Sequence, residues 1–211
     1  MGPGTWPVTL RRRYRGGELG LRPLHPRRDL QEWSALRAAN RRWTGPWDST
    51  NPYPEPALGF KAAVKEQNAE ARAGRLLPWA MTWNGALAGQ VHIFTIVRGA
   101  QQGGTIGYWI GERFAGHGLT PMAVAMAADH AFGVERLHRL EINVRPDNER
   151  SLALCRGLGL REEGVRRAYL HIDGDWRDHR SFAVVREELG PGGLMARLSH
   201  QHHPSRTRHT E

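Results

Sequence analysis

The residues with the clearest chemical potential lie in a glycine turn near the middle of the chain. Arg113, Gly116 and Gly118 have the spacing R-x-x-G-x-G. Residues 105–110 before them are rich in β-branched and aromatic types, which predicts a strand. Apolar residues recur at helical intervals along one face from Leu119 onward, which predicts a helix. The first N–H groups of a helix have no partner within it, and glycine lets a phosphate approach them closely. The turn therefore predicts a pyrophosphate site.

The same residues exclude two common motifs and leave one alternative open. The dinucleotide fingerprint needs a third glycine, which Thr120 and Pro121 do not supply; they are instead the predicted N-cap and first-turn residue of the helix. No Gly-Lys-Ser/Thr sequence follows, which excludes a Walker loop. A bare G-x-G also occurs in ordinary strand-to-helix turns, and this alternative stays open.

The glycine turn and the segment behind it resemble the GNAT N-acetyltransferases. R-x-x-G-x-G between a strand and a helix is similar to the acetyl-CoA motif of that family. Asn148, Ser151 and Leu154 stand where the family carries N-x-x-A/S-x-x-L. Gly159 and Leu160 stand at the family's G-F pair, with leucine replacing the usual phenylalanine.

A third stretch, residues 164–185, resembles a narrower group, the ribosomal-protein-alanine N-acetyltransferases of the RimJ type. It carries a Tyr-Leu, Ile-Asp-Gly and Trp-Arg-Asp-His series similar to their closing hairpin. The resemblance implies an α/β (α+β) fold: a GNAT-like mixed, mostly antiparallel twisted sheet with a central β-α-β crossover and flanking helices. We predict a flexible segment at 1–7, a single N-acetyltransferase domain at 8–189 and a disordered, basic and His-rich tail at 190–211.

The resemblance implies acetyl-CoA as co-substrate. We expect no functional metal site, because the histidines of the tail have no carboxylate or cysteine partners beside them, although they could bind a metal adventitiously. The implied cofactor-binding residues lie at the end of the central strand, in the glycine turn and at the start of the next helix: Trp109, Ile110, Arg113, Phe114, Ala115, Gly116, His117, Gly118, Leu119, Thr120, Asn148 and Ser151. Two of them have ordinary structural alternatives. Arg113 could form a surface ion pair, and Asn148 could simply cap the following helix.

Acetyl transfer to an amine needs a base for the amine proton, stabilisation of the thioester oxyanion, and a thiolate that is protonated or tolerated. Glu141 is the predicted base, because it shares a strand face with Asn143 beside the expected cleft, although it could instead pair with an arginine. A backbone N–H near Ile110 would serve the oxyanion. Ser151 is the preferred acid or thiol-binding group. Cys155 stands where the family often has a tyrosine acid, and it is either a catalytic thiol or a buried core residue.

The acceptor is predicted from the RimJ-type resemblance, which implies direct attack by the N-terminal α-amine of a ribosomal protein, most simply one with N-terminal alanine. An aromatic, Pro-rich loop at 43–56 and the acidic closing hairpin supply the candidate substrate-binding residues: Trp47, Tyr53, Tyr169, Asp173, Asp175 and Trp176. The loop aromatics could instead pin the loop to the core, and the Asp173-Gly174 pair also fits a turn. A small-molecule amine such as an antibiotic or polyamine is the alternative acceptor.

Composition bounds the remaining options. The chain has 211 residues and a formal charge of +9, and residues 1–42 are especially rich in arginine. This basic surface could contact ribosomal RNA, so a non-catalytic ribosome- or RNA-binding module on the same fold is a third hypothesis; a solvated face is the other reading. A single cysteine, no apolar run of membrane-spanning length and no signal-peptide pattern predict a cytoplasmic protein, as monomer or homodimer.

Overall fold

A computed structural model describes residues 6–53 and 56–201. Eight strands form one sheet: β1 (Leu10–Tyr14), β2 (Gly17–Pro23), β3 (Leu77–Trp83), β4 (Ala86–Val97), β5 (Gly103–Ile110), β6 (Arg139–Val144), β7 (Arg161–Ile172) and β8 (Asp175–Val185). Six α-helices accompany them: α1 (Leu30–Ala39), α2 (Arg41–Thr44), α3 (Phe60–Arg72), α4 (Leu119–Gly133), α5 (Glu149–Gly157) and α6 (Gly193–Gln201).

The strands follow the order β1-β2-β3-β4-β5-β6-β8-β7. Every neighbouring pair is antiparallel except β5 and β6, which are parallel and joined through α4. This arrangement confirms the predicted mixed sheet with a central β-α-β crossover. The Asp173-Gly174 turn between β7 and β8 has φ values of 51° and 80°, the left-handed geometry of a tight hairpin.

The main core lies between the sheet and α4. Ten residues of α4, from Leu119 to Phe132, are buried, so this helix is apolar on nearly all sides rather than along one stripe. It is enclosed because α6 covers its outer side and contributes the buried Leu194 and Leu198. Helices α1 and α3 cover the opposite face of the sheet around Leu36 and Val64.

Three predictions are wrong within the described residues. Residues 193–201 form α6 instead of a disordered tail, because the Asp129 carboxylate on α4 accepts the N–H groups of Leu194 and Met195 at 2.7 and 3.0 Å and so caps the helix. Residues 202–211 of the predicted tail and 1–5 of the predicted flexible start lie outside the described residues. Helix α4 begins one residue before Thr120, with Gly118 as its N-cap. Part of the predicted 43–56 loop is helical, in α2 and a short 3-10 turn.

No helix in the described ranges is long and apolar enough to cross a membrane.

The feature that creates the site is the separation of β5 from β6. Their parallel pairing covers only Gly103–Thr105 against Arg139–Glu141. Beyond these pairs β5 runs on to Ile110 and β6 to Val144 without meeting. The gap leaves one edge of β5 unpaired in the middle of the sheet, where backbone groups can accept a ligand in place of a strand.

Candidate functional site

Two adjacent cavities lie where β5 and β6 separate. The larger, of about 550 Å³, extends toward the N-terminus of α4, and the smaller, of about 280 Å³, extends toward the β7–β8 hairpin. Both are lined by the same four residues at their junction: Trp47, Tyr108, Asn148 and Ser151. A molecule entering from one side can therefore meet a molecule entering from the other across these side chains.

The glycine turn forms one wall of the larger cavity. Gly116 and Gly118 have φ values of 80° and 72°, and both line the cavity. A Cβ on Gly118 would lie 2.7 Å from the hydroxyl of Tyr14, so the β1–β2 hairpin packs directly on the turn. In the described part of the chain, no side chain caps the N-terminus of α4. The N–H groups and positive dipole end of this helix are thus left for an anion.

The predicted cofactor residues divide into two sets. Eight line the larger cavity: Trp109, Ile110, Ala115, Gly116, Gly118, Thr120, Asn148 and Ser151. Four do not: Arg113, Phe114, His117 and Leu119. Of these four, Leu119 is a core residue, His117 is exposed, and Arg113 lies over the ring of Phe114 at 4.5 Å.

The end of β5 is held by α2, the short helix that follows α1. The N–H of Gly111 bonds to Ala88 on β4, so the backbone groups of Ile110 point the other way, toward the gap. There the Ile110 carbonyl accepts the indole N–H of Trp43 at 2.9 Å, and the Ile110 N–H remains on the cavity side. The ring of Trp109 lies on the face of the sheet that α1 and α3 cover, 5.2 Å from Trp33.

The motif residues Asn148 and Ser151 combine a structural and a site position. The Asn148 side chain accepts the N–H of Ser151 at 3.1 Å and caps α5, as the structural alternative predicted. Both residues also line the two cavities. This one hydrogen bond orients the Asn148 side chain and fixes the backbone at the start of α5 beside the gap.

Tyr108 is a site residue that the sequence interpretation missed. It lines both cavities, and its hydroxyl oxygen is buried without a hydrogen-bond partner among the described residues. Burial raises the pKa of this phenol well above its ordinary value, and the nearby Cys155 adds to the rise. Ser151 lies close enough to offset part of it, although the geometry between the two hydroxyls falls short of a hydrogen bond. A buried hydroxyl without a hydrogen-bond partner lowers the stability of the fold. Such groups in native structures often have a functional role.

The larger cavity contains further residues beyond those predicted. Trp43, Arg150, Leu154 and Leu198 also line it. Trp43 carried a sequence indication, since the aromatics of its loop need a packing site. Leu198 carried none, because α6 was not expected to exist.

The predicted catalytic residues Glu141 and Cys155 line neither cavity. One oxygen of Glu141 accepts from Arg139 at 3.0 Å and the other from Arg166 at 2.6 Å, so the arginine alternative is realised. Cys155 is fully buried, and desolvation raises the pKa of its thiol to about 12. In this structure Glu141 forms ion pairs and Cys155 packs in the core, which are structural roles.

The predicted substrate-binding residues also fall into two groups, those that line the smaller cavity and those that do not. Trp47 and Tyr169 line the smaller cavity. Four do not: Tyr53, Asp173, Asp175 and Trp176, all of them exposed. Asp175 pairs with Arg177 at 3.2 Å, and the ring of Trp176 contacts that of His171. The hairpin tip thus lies outside the smaller cavity.

The walls of the smaller cavity are joined by contacts between segments that are distant in the sequence. The N–H of Thr50 donates to the carbonyl of His171 at 2.8 Å, which ties the aromatic loop to β7. Asp48, Asn143 and His179 add polar groups to the lining. Asp48 is held by Arg37 at 2.7 Å. The cavity is therefore polar on several sides and bounded by aromatic rings.

Residues 18–161 match the family model described as "Acetyltransferase (GNAT) domain". The chain belongs to the GNAT acetyltransferase family. Among curated relatives of this GNAT protein, the [ribosomal protein uS5]-alanine N-acetyltransferase of Escherichia coli is 30% identical over 172 residues, which cover 78% of this chain and 87% of that one. A Bacillus subtilis protein named "Probable N-acetyltransferase YjcK" is 37% identical over 99 residues, and this match spans 47% of this chain and 55% of its length.

A solved structure described as Mycobacterium smegmatis RimJ in complex with CoA-disulfide superposes on this GNAT chain with a TM-score of 0.86. The two are 36% identical, and the match covers 96% of this chain and 98% of the other. The protein is an acetyl-CoA-dependent N-acetyltransferase related to the ribosomal-protein N-acetyltransferases. Its larger cavity fits this co-substrate, since an uncapped helix N-terminus suits a pyrophosphate and the cavity continues to the gap beside β5.

Proposed function

We propose that this enzyme acetylates the N-terminal α-amine of a ribosomal protein, most simply one that begins with alanine. The observation that carries the proposal is the junction of the two cavities at Tyr108 and Ser151. It allows an amine in the smaller cavity to reach a thioester in the larger one directly, without a covalent enzyme intermediate. The named activity of the Escherichia coli relative supports the choice of acceptor.

The dimensions of the acceptor side favour a small first residue. A volume of about 280 Å³ lies at the low end of ligand pockets, which run from about 300 to 1,000 Å³. The carboxylate of Asp48 is suited to a peptide ammonium group at this wall. Because ribosomal proteins are made in the cytoplasm, the proposed acceptor also implies a cytoplasmic enzyme.

The transfer itself divides between the two walls. When bound, acetyl-CoA supplies the thioester carbonyl that the amine attacks. The Ile110 N–H, on the cavity side of β5, is positioned to donate to the oxygen of that carbonyl as negative charge develops. The Tyr108 phenol, whose pKa burial raises above its ordinary value, and the Ser151 hydroxyl are the donors available to the departing thiolate.

A small-amine acetyltransferase is the competing function, because the smaller cavity could enclose a polyamine end or an aminoglycoside amine. The two are separated by offering the enzyme acetyl-CoA with a peptide beginning with alanine, the same peptide with a blocked N-terminus, spermidine and an aminoglycoside. The rate is measured from the release of the free CoA thiol, and mass spectrometry of the peptide locates the acetyl group. We expect acetylation of the free α-amine alone. Faster turnover of a small amine, or acetylation of the blocked peptide at lysine, would contradict the proposed acceptor.

A further inference from the structure

We propose that His179 is the general base that takes the proton of the acceptor amine as it attacks the acetyl carbonyl. The histidine lies on β8, on the same sheet face as Asn143 and Ser181. It lines the smaller cavity, where the acceptor of the proposed function would enter, and does not line the larger one. The inference therefore rests on acceptor entry from this side.

The orientation of the ring is fixed by two contacts. Nδ1 lies 3.0 Å from the carbonyl oxygen of Arg177, and because a carbonyl only accepts, Nδ1 carries the proton. The rings of His179 and Tyr169 form a T-shaped pair with a centroid distance of 5.6 Å. In the neutral ring Nε2 is then left with its lone pair, and the ring hydrogen bond found among the described residues is the one at Nδ1.

The surroundings keep the ring neutral near pH 7. Burial lowers the pKa of His179 below its ordinary value. The Arg177 carbonyl opposes this effect, Arg145 adds to it, and Asp178 and Asp147 oppose it. Burial prevails, as expected for a side chain that is 3% exposed. Asp48, on the opposite side of the cavity, is a further charged group that lines it.

Glu141, the other candidate, is less suited to this role. Both of its oxygens are held by arginines, and it does not line the acceptor cavity. A carboxylate that must first break two ion pairs is a poor acceptor for an amine proton. His179 requires no such rearrangement.

The step balances without an additional reactant. The nitrogen of the neutral amine bonds to the acetyl carbon and becomes strongly acidic. Its proton passes to Nε2 of His179, the carbon–sulfur bond breaks, and the thiolate leaves with the bonding pair. The thiolate receives a proton from the Tyr108 and Ser151 side or from water, and His179 returns its own proton to solvent.

The test is the pH dependence of kcat/KM for His179→Gln, measured with whichever amine the wild-type enzyme acetylates fastest. This choice separates the proposal from the identity of the acceptor: failure of the alanine peptide alone removes the proposed acceptor and leaves this test in place. Between the histidine and amine pKa values, log kcat/KM should rise with a slope of 1, set by the neutral amine. Below the His179 pKa the slope should increase to 2 in the wild-type enzyme and stay at 1 in the variant.

We expect kcat/KM at pH 7 to fall about 100-fold in His179→Gln, with acetyl-CoA affinity by calorimetry unchanged. Imidazole in the buffer should restore part of the activity of His179→Ala. His138→Gln, an exposed histidine paired with Glu187 at 3.0 Å, is the matched control and should keep the wild-type profile. If Glu141→Gln removes the steeper acidic limb while His179→Gln retains it, the proposal is wrong.

A measurement on the wild-type protein covers the case in which His179 variants fail to fold. In ¹⁵N-histidine NMR spectra at pH 7, His179 should be neutral with its proton on Nδ1, and its Nε2 resonance should shift when the acceptor binds. A ring protonated at pH 7, or neutral with the proton on Nε2, would overturn the assignment.

Discussion

The indole nitrogen of Trp43 donates a hydrogen bond to the carbonyl oxygen of Ile110 at 2.9 Å, joining α2 to the last residue of β5. The guanidinium of Arg150 lies over the same indole at 4.3 Å. Trp43 therefore ties α2, the unpaired strand β5 and α5 together at the wall of the larger cavity.

Replacing Trp43 with Phe should weaken acetyl-CoA binding. A smaller aromatic ring is kept in place but the hydrogen bond to Ile110 is lost, which removes about 1 kcal/mol and should raise Kd about fivefold by calorimetry. Trp176→Phe, at an exposed position outside both cavities, should leave Kd unchanged. An unaltered Kd in Trp43→Phe would show that the contact does not support the cofactor side.

Gly118→Ala should destabilise the protein more than Gly116→Ala. Both positions require a left-handed backbone, which costs a side chain about 1 kcal/mol. Only at Gly118 would the new Cβ also meet the hydroxyl of Tyr14. We expect the free energy of unfolding to fall by about 2 kcal/mol for Gly118→Ala and about 1 kcal/mol for Gly116→Ala. Adding Tyr14→Phe should recover part of the difference in urea titrations, whereas equal losses at the two glycines would argue against the close packing.

Tyr108→Phe should separate stability from catalysis. The substitution removes a buried hydroxyl that has no partner among the described residues, so the melting temperature should stay the same or rise slightly. If the phenol protonates the thiolate, kcat should fall at least about 100-fold. Tyr53→Phe, at a position 82% exposed, is the control. Full turnover by Tyr108→Phe would assign the proton to Ser151 or water.

The wild-type enzyme gives a second check on Tyr108. Because burial raises the pKa of this phenol, it stays protonated well beyond pH 10, the ordinary value for tyrosine. The rate of wild-type turnover should therefore show no alkaline loss attributable to Tyr108 up to pH 10. A loss near pH 9 that disappears in Tyr108→Phe would show that the phenol is far less shielded.

Asp29→Asn should destabilise the fold in a pH-dependent way. The Asp29 carboxylate binds Arg22 at 2.6 and 3.1 Å and accepts the N–H of His25 at 2.7 Å. Burial acts to raise the pKa of Asp29, but the hydrogen bonds and charge of Arg22, the His25 N–H and Arg28 outweigh it and lower the pKa. The charged form thus stabilises the folded state above the unfolded pKa of about 4, and this contribution disappears as the pH falls through the lower, folded pKa.

At pH 7 the loss in Asp29→Asn should be about 3 kcal/mol, since it leaves the Arg22 charge without its buried partner. The difference from the wild-type protein should shrink as the pH is lowered below about 4. Asp175→Asn, whose side chain is 64% exposed in its pair with Arg177, should change stability by less than about 0.5 kcal/mol. A pH-independent loss would show that shape, and not charge, makes Asp29 important.

Short-range features of the site follow from the sequence. The glycine turn, the Asn148 cap and the Asp173-Gly174 hairpin are each set by residues within a few positions of one another. Backbone conformation and capping at such positions depend on local sterics and local hydrogen bonds. The same local character explains why the predicted strands and helices of the central crossover are present.

Other features depend on partners far away in the sequence. Glu141 has a suitable residue type on the predicted strand face, but Arg166, 25 residues later, occupies one of its oxygens. Residues 193–201 have a tail-like composition, and Asp129, 65 residues earlier, turns their start into a helix. The position of His179 in the smaller cavity likewise requires the pairing of β6, β8 and β7.

The sequence by itself therefore determined the family resemblance, the α/β class and the glycine turn that suits a pyrophosphate, because turn geometry, caps and hydrophobic periodicity are properties of short segments. Only the tertiary structure decided which side chains line the two cavities. Packing of the sheet brings Tyr108 and Ser151 together at the junction and places His179 on the wall of the smaller cavity. It also moves Glu141 into ion pairs and Cys155 into the core, because burial and charge pairing depend on contacts between distant segments.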